Sequence, residues 1–232
     1  MRRGPHATTA YRVAKLLTAP ARRLLVRLET VGLAHLPAEG SAIVVANHLS
    51  FFDSVLLMFA LPRQVRMLGK AEYTERRLTR WLFCGAGMIP VRRQHAGEAV
   101  HALDEISEVL EEGHLVGLFP EGTRSRDGRL HRGHVGAAHL ALSTGAPIVP
   151  IGLEGTDAIL PSGALIVRPF RTATLRIGAP IRVDALGFTR STNRARRDVT
   201  DRIMSSIREL SHQHYDDHYA PAPTSTGSHP AR

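Results

Sequence analysis

The sequence is poor in several things: a single cysteine, two lysines (Lys15 and Lys70), one tryptophan, and aromatic residues at only 5% of 232 positions. Cys84 alone excludes an intramolecular disulfide, and its neighbours Trp81, Leu82 and Phe83 suit a packed, inert thiol in a reducing compartment. Few aromatics mean few platforms for stacking bases, which argues against a nucleic-acid-binding surface. No run of twenty apolar residues is present to cross a bilayer, and the basic N-terminus lacks the continuous apolar region of a secretory signal. The two most hydrophobic stretches, 41–61 and 134–153, are interrupted by His, Asp, Pro, Gly or Ser as buried strands and helices are.

What the chain does have is positive charge. Its formal net charge is +9, carried almost wholly by arginine, and this implies an anionic partner: nucleic acid, a membrane surface or a phosphorylated substrate. The length suits one large α/β domain that needs neither disulfide nor metal to fold. The expected organisation is a basic amphipathic N-terminal segment over 1–35, the main domain over 36–212, and a disordered tail over 213–232, with its Pro, Ser, Thr and Gly concentrated after residue 219.

Hydrophobic periodicity predicts a helix over 10–30, broken at Pro20, with Val13, Leu17, Leu24, Leu25 and Leu28 on one side. Arg12, Lys15, Arg22, Arg23 and Arg27 fall on the other. Such a helix fits an anionic membrane or the surface of the core equally well. A strand and the helix it runs into are expected across 41–61, further strands at 65–68, 88–91, 115–119, 147–151 and 172–177, and further helices at 71–85, 97–112, 134–144 and 191–210. In 97–112, Ile106, Val109 and Leu110 share one face and Asp104, Glu105, Glu108 and Glu111 the other. This β-then-α rhythm predicts a mixed, largely parallel sheet covered by helices on both faces, with the N-terminal amphipathic helix as an extension.

The most informative stretch is 41–61. A β-branched run delivers His48 and Asp53 to the point where a strand gives way to a helix. On an ideal helix such an i,i+5 pair lies about 140° apart, so the side chains meet only if the segment begins as a turn. Asn47 and Ser50 are turn and cap formers that permit this. An imidazole held by a carboxylate at a cleft is what a general base needs, although an isolated pair at this spacing also suits a satisfied loop histidine and a first-turn aspartate.

A second strand, 115–119, runs into Pro120-Glu121-Gly122-Thr123-Arg124-Ser125. Ligands in open α/β sheets sit outside the carboxyl ends of the strands, so His48 and Asp53, Arg93, and the 121–124 loop are placed to share one cleft. Arginines beside glycine-backed amides suit a phosphate monoester. His212, His214, Asp216, Asp217 and His218 crowd together next to the tail, and no metal is assigned to them.

Together the segments resemble the glycerophospholipid acyltransferase family, the lysophosphatidate acyltransferase branch in particular. Residues 47–53 match its NHxxxxD motif, 87–93 resemble its second block, 119–125 match FPEGTRS, and 149–151 match the fourth. Two positions depart from the pattern: Arg92 stands where aspartate is usual, and His131-Arg132-Gly133 where a lysine is common. The resemblance implies that His48 is the general base, oriented by Asp53, with Lys70 helping to stabilise developing negative charge. Asn47, Arg93, Glu121, Gly122, Thr123 and Arg124 are implied to bind substrate, Glu121 chiefly by organising the arginines. The implied donor is acyl-CoA or acyl-carrier protein, with no cofactor. The acceptor is a lysophospholipid, foremost 1-acylglycerol-3-phosphate, with an aminolipid or glycolipid as the alternative. The implied location is peripheral, on the cytoplasmic face of an anionic membrane, with no nucleic acid involved.

Overall fold

A computed structural model of the chain describes residues 9, 11–13, 15–16, 19, 26–70, 88–91, 96–164, 166–188 and 191–221. In chain order the strands are β1 (Val26–Val31), β2 (Ala42–Ala46), β3 (Val65–Lys70), β4 (Ile89–Val91), β5 (Leu115–Leu118), β6 (Leu130–His131), β7 (Ile148–Glu154), β8 (Arg171–Ile177) and β9 (Tyr215–Asp216). The helices beyond the N-terminal segment are α1 (Phe51–Ala60), α2 (Ala96–Glu111), α3 (Gly136–Thr144), α4 (Thr156–Ile159) and α5 (Asn193–Ser211).

Among the described residues, seven strands make one sheet in the order β1-β8-β7-β2-β5-β3-β4, with β7, β2, β5, β3 and β4 mutually parallel. β8 runs antiparallel to β7, and β1 lies parallel to β8 at the edge. The mixed, largely parallel sheet of the sequence reading is the sheet observed. All five residues of β2 are fully buried, which is why the strand reads as an unbroken apolar run instead of an alternation. Its period of two still sorts the side chains. Val44 and Ala46 pack with Leu56, Leu57 and Met58 of α1, while Ile43 and Val45 pack with Ile106 of α2, Leu140 of α3 and Ile203 of α5. Helices therefore cover both faces, and β2, at the centre, points its carboxyl end at the site.

At close approaches the sequence is glycine. A Cβ on Gly117 of β5 would lie 2.1 Å from Met67 Sδ of β3, and one on Gly152 of β7 would lie 2.3 Å from the backbone of Leu210 in α5. Those two positions let β3 and α5 settle against their neighbours.

The helical reading of 10–30 needs correction. Residues 26–30 belong to β1, paired with β8 from Val26↔Arg171 to Val31↔Arg176. Their sequence, Val-Arg-Leu-Glu-Thr-Val, satisfies either period, and the free edge of β8, more than 140 residues away, selects the strand. Upstream, the described residues of the segment are helical, but the face is not the expected one. Tyr11 is buried, donating its hydroxyl to Met58 O at 2.8 Å and stacking on Phe59, and Lys15 Nζ donates to Leu61 O at 2.5 Å. Val13 and Leu16 are exposed. The end of α1 leaves carbonyls without intrahelical partners, and a lysine ammonium meets that need where valine cannot.

The tail reading is corrected as well. β9 pairs with β6, Leu130 N–H donates to His214 O at 2.9 Å, and Arg132 N–H donates to His218 O at 3.0 Å. Residues 213–221 are thus held against the domain, while 222–232 lie outside the described residues. So do the helix expected at 71–85, with Cys84, and the pair Arg92 and Arg93.

Candidate active site

The chain leaves β2 through Asn47, His48 and Leu49, and turns into α1 at Ser50. Ser50 is extended (φ −143°, ψ 155°), and its Oγ accepts from Phe52 N–H at 3.1 Å, so α1 begins with a capped turn. That turn brings the i,i+5 pair together: His48 Nδ1 lies 2.9 Å from Asp53 Oδ2. The same oxygen accepts Leu49 N–H at 2.7 Å and Ser50 N–H at 2.8 Å. An oxygen that already accepts two backbone N–H groups faces the ring as an acceptor, so in the neutral imidazole Nδ1 carries the proton and Nε2 keeps its lone pair. Asp53 is sealed from water and its side chain stands in the first turn of α1, where the helix dipole favours negative charge. The His48 side chain is 15% exposed, against none for Asp53.

β5, the parallel neighbour of β2, completes the setting. Phe119 stacks on the imidazole of His48 with ring centroids 3.8 Å apart and planes within 6°. Glu121 is buried; its Oε1 accepts His48 N–H at 3.0 Å and its Oε2 accepts His131 N–H at 2.9 Å. Ser125 N–H donates to His48 O at 2.7 Å. The 119–125 loop therefore grips both backbone groups of His48 as well as its ring. Burial pushes the Glu121 carboxyl up to about 7, against the downward pull of the two backbone hydrogen bonds from His131 and His48.

The remaining residues of the sequence reading divide. Asn47 is fully buried and its amide is consumed by β7, donating to Leu153 O at 2.9 Å and accepting Leu153 N–H at 2.7 Å. It is a tie between β2 and β7, which corrects its assignment to substrate. Glu121 is likewise a brace between loops; its described partners are backbone amides, not arginines. Gly122 takes the left-handed conformation (φ 73°) that turns the loop, with Thr123 and Arg124 half-buried beyond it. Arg124 has no carboxylate or acceptor partner among the described residues, which leaves its guanidinium available. The backbone of Lys70 ends β3 at the same edge of the sheet, and Arg93 follows β4 outside the described residues.

Ser50 stands where the sequence predicts a cap, while Phe119, Ser125 and His131 join the constellation in ways the sequence does not predict. Phe119 and Ser125 flank the 120–124 loop, and that adjacency was the available signal. His131 gave none, because its backbone N–H is what matters. Among the described residues no group of three His, Cys, Asp or Glu side chains converges as a metal site. Three cavities of about 450, 410 and 520 Å³ lie along α5, lined by residues such as Met204, Arg208 and Leu210, and none is lined by His48.

A family model described as Acyltransferase matches residues 27–154. The chloroplastic 1-acyl-sn-glycerol-3-phosphate acyltransferase LPAT1 of Arabidopsis thaliana is 33% identical over 153 residues, 66% of this chain and 43% of that protein. The alpha enzyme of the same name from Mus musculus is 33% identical over 145 residues, 60% of this chain and 50% of that protein. The chain thus spans about half the length of the curated relatives it matches. Among solved structures, the 1-acyl-sn-glycerophosphate acyltransferase PlsC from Thermotoga maritima superposes with a TM-score of 0.70 at 26% identity, covering 86% of this chain and 79% of that one.

Proposed function

This chain belongs to the acyltransferase family, and we propose that it transfers a fatty acyl group from the thioester of acyl-CoA or acyl-carrier protein to the free hydroxyl of 1-acylglycerol-3-phosphate, giving phosphatidate. The observation that carries the reading is the His48–Asp53 hydrogen bond at 2.9 Å, which leaves Nε2 as the free base of a partly exposed ring.

Nε2 takes the proton of the acceptor hydroxyl as its oxygen attacks the thioester carbonyl. Asp53 stabilises the imidazolium that forms. When the tetrahedral intermediate collapses, the carbon–sulfur bond breaks and the imidazolium returns the proton to the thiolate, so that the products are ester and thiol. No covalent acyl-enzyme and no cofactor is needed to balance these steps. Arg124, available at the carboxyl end of β5, suits the acceptor's phosphate, with Arg93 and the 121–123 backbone as companions and Lys70 near developing negative charge. Because acceptor and product are lipids, the enzyme works peripherally, at the cytoplasmic face of an anionic membrane. No described helix is long and apolar enough to cross one.

The test is purified protein with labelled acyl-CoA or acyl-carrier protein and a panel of lysophospholipids, including amino- and glycolipid forms, read by product mass. Phosphatidate as the main product is the expected result; preferential product from another acceptor, or none from any, overturns the assignment.

A further inference from the structure

Ile166 and Phe170 are the two most exposed large apolar side chains among the described residues, at 82% and 78%. Both stand on one loop, the connection from α4 to β8. Arg168 and Arg171 alternate with them and are exposed too, and no acidic residue occurs between Asp157 and Asp184. Phe170 adopts φ 59°, a left-handed conformation that a bulky residue enters only at a conformational cost. The ring is not compensated by burial, so the fold maintains a strained aromatic pointing into solvent, and strain of this kind collects at functional positions.

The loop is held in place. Arg168 N–H donates to Ile159 O at 2.8 Å, Ala164 N–H donates to Pro161 O at 3.0 Å, and Leu160 and Val167 pack on the core beneath. Leu160 O accepts the Ser50 hydroxyl at 2.6 Å, and Ser50 caps the helix that carries Asp53. β7 runs parallel to β2, so the loop that follows β7 lies on the edge of the sheet where His48 emerges.

We propose that residues 166–171 form an interfacial anchor that seats this edge of the domain on an anionic lipid bilayer, with Ile166 and Phe170 entering the acyl boundary and Arg168 and Arg171 meeting headgroup phosphates. Apolar side chains interleaved with arginines are what such an interface binds, and a stretch without a carboxylate from 158 to 183 matches its negative potential, the exposed Asp157 standing just before it. Through Ser50 the loop is tied to the cap of the helix that carries Asp53, and His48 emerges at the same end of the sheet. The proposal builds on the reading that the acceptor is a membrane lipid, and it places the contact on a loop remote in sequence from the basic N-terminal segment.

The experiment is flotation of the full chain with phosphatidylglycerol–phosphatidylcholine vesicles, beside turnover on a short-chain 1-acylglycerol-3-phosphate kept monomeric. Ile166→Ser/Phe170→Ser is expected to lower vesicle partitioning by about tenfold or more at every salt concentration. Arg168→Gln/Arg171→Gln is expected to lower it several-fold at low salt and little at high salt, where the Debye length shrinks. Turnover on the monomeric acceptor stays at the parent level in both. Phe170→Asn tolerates the left-handed backbone and is expected to keep or raise Tm while losing vesicle affinity. Unchanged partitioning, an equal loss of turnover on the monomeric acceptor, or a fall in Tm for Phe170→Asn would each overturn the proposal. Failure of the parent to acylate the monomeric acceptor, by contrast, counts against the acyl-transfer reading and leaves the flotation result standing.

Discussion

The imidazole of His48 lies flat on the ring of Phe119, 3.8 Å between centroids, while its edge is held by Asp53 at 2.9 Å. One contact fixes the plane of the base and the other its rotation within that plane. A stacked pair is worth about 0.5–1.5 kcal/mol, so Phe119→Leu, which keeps apolar volume and loses the ring, is expected to lower kcat by roughly threefold to tenfold. The KM for the acyl donor should stay near the parent value. A change confined to KM would assign Phe119 to substrate binding.

His48→Ala is expected to leave a folded protein whose acyl transfer falls by about 10²–10⁴-fold. Asp53→Asn should cost comparably, because even with its one oxygen placed where Oδ2 accepts the three N–H donors, a neutral amide no longer stabilises the imidazolium. The double variant should be little worse than either single one, since the two act as a unit. Initial rates at saturating donor decide this, and multiplicative losses would mean that the residues act separately.

Asn47 and Arg124 come from the two motif segments and should behave oppositely. Asn47→Ala strands the N–H and C=O of Leu153 in the interior, which is expected to cost about 2–4 kcal/mol in urea unfolding. Arg124→Ala removes a group without a described partner and should leave stability within about 0.5 kcal/mol, while raising the KM for the phosphate-bearing acceptor more than that for the donor. An equal rise for both substrates would point to a structural role for the arginine.

Glu121 gives the fold a pH dependence with a definite sign. Its carboxyl titrates at about 7 in the folded chain against an ordinary 4.5. Between those values the native state holds a proton that the unfolded chain has released, so this group's contribution to stability is full below about 4.5 and is lost as pH rises toward 7. Glu121→Gln should flatten that segment of the stability–pH curve. It should also lower kcat, because the Gln amide can accept only one of the His48 and His131 N–H bonds. Urea midpoints from pH 4.5 to 8 check the first effect and steady-state rates the second; a variant curve as steep as the parent's would assign the dependence to another group.

Sequence alone determined what depends on near neighbours. The turn that joins His48 to Asp53 is written in Ser50 three residues before Asp53, the central strand in an apolar run from Ala42 to Ala46, and α2 in a stripe that puts Ile106 and Leu110 inward. What the tertiary structure decided depends on partners far along the chain. Val26–Val31 became a strand because β8 offered an edge, and Lys15 turned inward because Leu61 offered a carbonyl. Asn47 became a tie between strands, and Glu121 a brace of backbone amides instead of arginines, because Leu153 and His131 presented backbone groups to them. Hydrophobic period and capping are properties of a window a few residues wide. Which buried polar atom meets which is set only when distant strands are brought side by side, and each such meeting is enforced by the cost of leaving a buried hydrogen-bonding group unpaired.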